Sequence, residues 1–168
     1  MDGLPPRRIV IGIGNGDRGD DAAGRAVARL LRGQLPADVA LVEHDGETTG
    51  LIAQLDGAAA AVLVDACASG APAGTVRRFD VAATSLPCAA FGLSSHGIGL
   101  AEAVELARML GQLPSTCVVY AIEGASFALG APLSPPVAAA VADVAARLRA
   151  EFAGSSEAEG QVQCMKRR

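Results

Sequence analysis

The chain has 168 residues, of which 51% are hydrophobic and 19% charged, enough apolar material for one well-packed domain. No apolar stretch reaches the roughly 18 residues of a membrane span, and the N-terminal residues fit no targeting signal, which predicts a cytoplasmic protein without a membrane partner. The net charge of −4 and the aromatic content of 3% argue against a nucleic-acid partner. Lys166 is the only lysine, which excludes a lysine-containing phosphate loop and Schiff-base catalysis.

Strand patterns alternate with helix patterns along the chain. Strands are predicted at 8–13, 39–43, 60–65, 75–79 and 117–122, and helices at 20–32, 49–55, 98–110 and from Ser134–Pro135 onward. This alternation indicates a parallel sheet covered on both faces, in one α/β domain over residues 1–153. Residues 154–168 are polar and are predicted to form a disordered tail.

Helical spacing also predicts which side chains face the core. In the helix at 20–32, Val27, Leu30 and Leu31 are expected to face inward, and Arg25, Arg29 and Arg32 share another face. The later helices are expected to bury Leu100, Val104, Ala107 and Leu110, and then Val137, Val141, Val144, Leu148 and Phe152.

Polar residues gather where the strands end, which is where parallel sheets carry functional groups. Asp65 closes an apolar strand and therefore needs a charged partner, hydrogen bonds or a metal. The other residues of this kind have structural alternatives as helix caps, turn residues or satisfied polar groups. They are Asp20 and Asp21 after the first strand, His44 and Asp45 after the second, and His96 before the fifth.

A glycine-rich pattern and the cysteines bear on cofactor binding and on thiol chemistry. Gly14–Gly19 reads G-x-G-x-x-G after a strand, but Asp17, Asp20 and Asp21 would repel a dinucleotide's phosphates and suit a cation instead. We therefore expect no resident cofactor, and a nucleotide-binding protein stays open only as a third alternative, because the acidic residue Glu43 ends the second strand. Four widely spaced cysteines, which include no C-x-x-C pair, are expected to be free thiols: Cys67, Cys88, Cys117 and Cys164.

As a set, five motifs in order over residues 9 to about 150 resemble the hydrogenase maturation proteases, endopeptidases that trim the C-terminus of a [NiFe]-hydrogenase large subunit. The motifs are Gly12-Ile13-Gly14-Asn15 with Asp20-Asp21, Asp45-Gly46-x-Thr48-x-Gly50, Val64-Asp65-Ala66, Ser95-His96-x-x-Gly99-Leu100, and Glu123-Gly124 with Leu133-Ser134-Pro135-x-Val137.

The resemblance implies a three-layer α/β/α sandwich around a twisted, mainly parallel five-stranded sheet. It also implies that Asp21, Asp65 and His96 contact nickel, which the hydrogenase precursor supplies as substrate. Asp20 is the alternative to Asp21, because both are carboxylates. The chain departs from the usual family pattern at Gly16–Gly19 and at Ala22, beside these residues.

The residues that would carry out peptide hydrolysis are not identified by any motif. Asp45 is the candidate carboxylate, because its loop is expected to lie beside the Asp21 loop. The alternative function is a non-catalytic nickel-sensing assembly factor or metallochaperone that binds the same large subunit.

Overall fold

The computed structural model describes residues 7–91 and 99–165; the predicted site residue His96 lies outside them. The strands are β1 (Arg8–Ile13), β2 (Val39–His44), β3 (Ala60–Cys67), β4 (Val76–Asp80) and β5 (Thr116–Glu123). The helices are α1 (Ala23–Leu31), α2 (Thr48–Leu55), α3 (Cys88–Phe91), α4 (Leu100–Met109) and α5 (Pro135–Met165), and a 3₁₀ turn at Gly19–Ala22 precedes α1.

The five strands form one sheet in the order β2-β1-β3-β5-β4. The first four are parallel, and β4 pairs with β5 in the antiparallel direction at the edge. The predicted α/β class and the mainly parallel five-stranded sheet are therefore confirmed. The carboxyl ends of the four parallel strands, which carry the polar residues, therefore lie at the same edge of the sheet.

Helices cover both faces of the sheet, because successive side chains of each strand point to opposite sides. Ile9 and Ile11 of β1 pack with α2 and α4 in one buried cluster. Val10 of β1 and Val64 of β3 pack with α1 and α5 in the other. These two apolar layers are the core of the three-layer sandwich.

The predicted inward residues are largely confirmed, with two corrections. All five apolar residues of the α5 stripe are buried, but Leu30 is 45% exposed and Leu110 is 58% exposed. Leu30 lies at the flank of α1 while Val27 and Leu31, four residues apart, face the sheet. Leu110 is the C-cap of α4, and its amide still donates to the Leu106 carbonyl, but the buried face of the helix ends at Ala107. Helix α5 continues to Met165, so secondary structure does not change at residue 154; the domain limit there stays a prediction.

Two glycines bring the start of α1 against the sheet. A Cβ on Gly12 would lie 2.2 Å from the Gly24 carbonyl oxygen, and one on Gly24 would lie 2.1 Å from the carbonyl oxygen of Val64. Backbone therefore packs directly on backbone, which only glycine allows. This contact places the residues just before α1 over the ends of β1 and β3.

Candidate active site at the carboxyl ends of the strands

The loops after β1 and β2 are joined at the carboxyl edge of the sheet. Ile13 pairs with His44 in the parallel register, and the Gly14 amide donates a hydrogen bond to the His44 carbonyl at 3.0 Å. Asp45 therefore begins a loop beside the one that leads to Asp21, as predicted.

Asp21 lies in the 3₁₀ turn and is partly exposed. Its Oδ2 accepts a hydrogen bond from the Asn15 amide at 3.0 Å. Gly14 has φ +138°, and a Cβ there would lie 1.7 Å from the Asp21 carbonyl oxygen. The loop can therefore close around Asp21 only with glycine at position 14.

Asp65 is partly buried near the end of β3, and its side chain is close enough to Asp21 for the two charges to interact. Burial and the neighbouring charge of Asp21 raise the pKa of Asp65 to about 7, against a stabilising hydrogen bond from the Ala66 amide to Oδ1. A carboxyl group whose ionisation is disfavoured by burial and by a neighbouring carboxylate is a group beside which a bound cation would be stabilised. The structure thus brings together two of the three predicted nickel-contacting residues.

The predicted set of Asp21, Asp65 and His96 would be a mixed oxygen and nitrogen donor set, which is the kind that suits a borderline divalent metal such as nickel. Within residues 7–91 and 99–165, no group of three His, Cys, Asp or Glu side chains could hold a metal ion. The third predicted ligand, His96, falls outside those ranges, so the complete set stays a prediction.

Asp20 has a different environment from its neighbour Asp21. It is fully buried, and its Oδ2 accepts hydrogen bonds from the amides of Ala125 and Ser126 at 2.7 and 3.0 Å and from the Ser134 hydroxyl at 2.9 Å. Its Oδ1 accepts from the Ser134 amide at 2.7 Å. The geometry makes Asp20 a clamp between the β1–α1 loop and the β5–α5 loop, and it leaves Asp21 as the carboxylate beside Asp65.

The clamp holds Asp20 in its ionised form. Burial alone would raise the pKa of Asp20, but the hydrogen bonds from Ser134, Ser126 and Ala125 lower it below its ordinary value. The β5–α5 loop is joined further by the Asp20 amide, which donates to the Ser126 carbonyl at 2.8 Å, and by the Gly130 amide, which donates to the Asp17 carbonyl at 2.7 Å.

Asp45 is exposed at the start of the loop after β2. Its side chain is 62% exposed, and its Oδ1 accepts a hydrogen bond from the Glu47 amide at 3.0 Å. The His44 Nδ1 accepts from the Gly46 amide at 2.9 Å, and it lies 3.6 Å from Asp45 Oδ1, which is too far for a hydrogen bond. Asp45 is accessible to water.

Glu123 is a second buried carboxylate whose structural role sequence reasoning missed. Its Oε1 accepts from the amides of Ser69 and Gly70 at 2.7 and 2.9 Å, and its Oε2 accepts from the Ser69 hydroxyl and the Cys67 thiol at 2.7 and 3.2 Å. Burial would raise the pKa of Glu123, but these bonds lower it below its usual value. Glu123 closes an apolar strand just as Asp65 does, and that signal could have identified it.

The cysteines for which side chains are described agree with the thiol prediction. Cys67 and Cys117 are buried and free, and Cys88 is exposed and free. Burial raises the pKa of both buried thiols to about 12, which makes them poor nucleophiles at neutral pH. Among the described residues, no helix is long and apolar enough to cross a membrane.

The fold and the candidate site define an α/β protein with carboxylates gathered beyond the ends of parallel strands. A family model described as "HycI: Hydrogenase maturation protease" matches residues 25–151. The chain belongs to the hydrogenase maturation protease family and is a hydrolase, a maturation endopeptidase. The matched range contains Asp65 and His96, and Asp21 precedes it.

Solved structures agree with this assignment. The hydrogenase maturating endopeptidase HybD from E. coli has a TM-score of 0.68 and 25% sequence identity, over 89% of this chain and 93% of that one. The [NiFe] hydrogenase maturation protease HycI from Thermococcus kodakarensis KOD1 shares the fold, with a TM-score of 0.66 and 24% identity over 85% and 90% of the two chains. No curated protein shows significant sequence similarity to the chain.

Proposed function

We propose that the protein removes a C-terminal peptide from the nickel-loaded large-subunit precursor of a [NiFe]-hydrogenase and uses the precursor's nickel as its recognition element. In this proposal Asp21, Asp65 and His96 contact the nickel, which arrives with the substrate and leaves with it. The protein itself then needs no permanently bound metal.

The observation that carries the proposal is the pairing of Asp21 with Asp65. Burial and the neighbouring charge of Asp21 raise the pKa of Asp65, and a divalent cation between the two carboxylates would offset both effects. Among the described residues, one oxygen of each carboxylate accepts a backbone hydrogen bond and the other oxygen accepts none. Each side chain is therefore oriented by the backbone and keeps one oxygen for a ligand.

Hydrolysis forms a bond between the oxygen of water and the scissile carbonyl carbon, the C–N bond breaks, and a proton lost by the water ends on the departing amine. We assign polarisation of this water to Asp45, which is exposed and lies in the loop bonded to the Asp21 loop. Cleavage would then occur beside the recognised nickel.

Mass spectrometry of the precursor tests the proposal directly. The nickel-loaded large-subunit precursor from the same organism is incubated with the protein, and a nickel-free precursor is the control. We expect a C-terminal peptide to be lost only from the nickel-loaded sample. Stable association without a change in mass would contradict the cleavage proposal, and equal cleavage of both samples would contradict nickel recognition.

Two conservative variants separate recognition from chemistry. Asp65→Asn keeps the shape but removes a charge, and we expect weaker nickel-dependent binding of the precursor as well as slower cleavage. Asp45→Asn should abolish cleavage while the fold and precursor binding are retained. The matched control is Asp17→Asn, an exposed acid of the neighbouring loop, which should cleave at the wild-type rate. Full cleavage by Asp45→Asn would remove Asp45 from the reaction.

A further inference from the structure

Two arginines of α1, and a third that follows its last residue, converge on a single carboxylate near the end of β2. The Nε atoms of Arg25 and Arg29 donate to Glu43 Oε2 at 3.1 and 3.0 Å, and Arg32 Nη2 donates to Oε1. One negative charge balances one of the three guanidinium groups, so two positive charges remain in excess. We call Arg25, Arg29 and Arg32, with Glu43 between them, the arginine ridge.

The positive charges of the ridge face solvent, and the negative charge lies beneath them. The side chains of Arg29 and Arg32 are 50% and 68% exposed, whereas that of Glu43 is only 14% exposed. A structural ion pair needs only one arginine for one glutamate. The two surplus guanidinium groups, by contrast, present an exposed, positively charged surface with planar donors that match carboxylates.

The ridge is continuous with the candidate active site. A Cβ on Gly16, in the loop that leads to Asp21, would lie 3.8 Å from Arg25 Nη1 and 3.9 Å from Arg29 Nη2. Glu43 directly precedes His44, whose carbonyl holds the Gly14 amide. The ridge therefore begins at the edge of the site and follows α1 away from it.

The ridge is a local exception to the charge of the molecule. The whole chain has a net charge of −4, and Asp17 and Asp45 are exposed beside the site. A substrate with a cation at the site and negative charge on the segment next to it would match both regions in only one orientation. Such complementarity favours correct encounter and penalises wrong partners.

We propose that the arginine ridge docks an acidic segment of the protein substrate whose C-terminal peptide is removed at the Asp21–Asp65 site. This inference rests on the proposed function for the identity of the substrate. Docking on the ridge would hold the substrate in the orientation that brings its metal to the two carboxylates.

Charge reversal tests the ridge in the cleavage reaction. We expect R29E/R32E to lower kcat/KM for the nickel-loaded precursor about tenfold at low salt, mainly through KM, because two exposed ion pairs are replaced by repulsion. The wild-type rate should fall with added salt, and the variant should lose this dependence. The control is R7E/R147E, with the same change in net charge at two exposed arginines outside the ridge, which should keep the wild-type kcat/KM.

Direct binding separates failure of docking from failure of the proposed function. Fluorescence anisotropy with a labelled deca-glutamate peptide should show salt-sensitive binding to the wild type and to R7E/R147E, and at least tenfold weaker binding to R29E/R32E. Circular dichroism confirms that each variant is folded. Equal peptide binding by both variants would overturn the docking proposal even if the wild type cleaves the precursor. If only the proteins with an intact ridge bind the peptide, and the wild type does not cleave the precursor, the proposed function would be contradicted. The ridge would then still be a binding surface for acidic segments.

Discussion

Replacing Asp20 and Asp21 separately by asparagine should give opposite results, although the two residues are adjacent and chemically alike. Asp20 accepts four hydrogen bonds while fully buried, whereas Asp21 is partly exposed and accepts one. We expect Asp20→Asn to lower the free energy of unfolding and Asp21→Asn to lower nickel-dependent processing.

The size of the Asp20→Asn effect follows from its hydrogen bonds. Both carboxylate oxygens accept from backbone amides, so either orientation of the new amide places an NH₂ group against an N–H donor. The better orientation keeps the Ala125, Ser126 and Ser134 hydroxyl donors and leaves the Ser134 amide unpaired. One lost charge-assisted bond and one unsatisfied buried donor together cost about 3 kcal/mol. This is a large part of the roughly 5–15 kcal/mol by which a domain is stable.

Asp21→Asn should change the free energy of unfolding by less than about 1 kcal/mol, because the amide oxygen can still accept from the Asn15 amide, and the weakening of this one bond is offset by relief of the repulsion with Asp65. Urea denaturation followed by far-UV circular dichroism measures both variants, since the chain has no tryptophan. A loss below about 1 kcal/mol in Asp20→Asn would refute the clamp. An equal loss in Asp21→Asn would refute the distinction between the two residues.

Three further results are expected. A Cβ on Gly24 would lie 2.1 Å from the Val64 carbonyl oxygen, so Gly24→Ala should lower the free energy of unfolding by roughly 3 kcal/mol in urea denaturation; Gly154→Ala, which meets open space, is the control and should not destabilise. The pKa of Glu123 is lower in the fold than its ordinary value, so its contribution is complete above that value and is lost as pH falls through the folded pKa. The stability difference between wild type and Glu123→Gln should therefore be constant near neutral pH and shrink below about pH 4.5; a constant difference down to pH 3 would contradict this. Alkylation of the native protein, mapped by mass spectrometry, should modify exposed Cys88 and spare buried Cys67 and Cys117; rapid labelling of either buried thiol would contradict the burial.

The sheet was predictable from the sequence because each parallel strand is an apolar run that ends in a glycine or a polar residue. Two of these runs, at residues 8–13 and 60–65, are apolar on both faces, which is typical of central strands in a sheet covered on both sides. The edge strand β4 was predicted at 75–79, one residue from its observed range. Its antiparallel direction depends on pairing with β5, which local pattern does not encode.

The kinds of residue at the candidate site could be predicted from the sequence, but the environment of each residue could not. Local sequence cannot distinguish Asp20 from Asp21, because the difference comes from donors more than one hundred residues later in the chain. The shared face of Arg25, Arg29 and Arg32 was evident from helical spacing, but their common partner Glu43 became apparent only when α1 packed beside β2. Such pairings are properties of tertiary contacts rather than of periodicity.

The Asp20 clamp also has a consequence for the order of events during synthesis. Its partners extend to Ser134, so the turn that carries Asp21 cannot reach its final position until most of the chain has left the ribosome. A shorter nascent chain would hold a carboxylate whose donors do not yet exist. We therefore expect the candidate site to take its final shape only when the molecule is nearly complete.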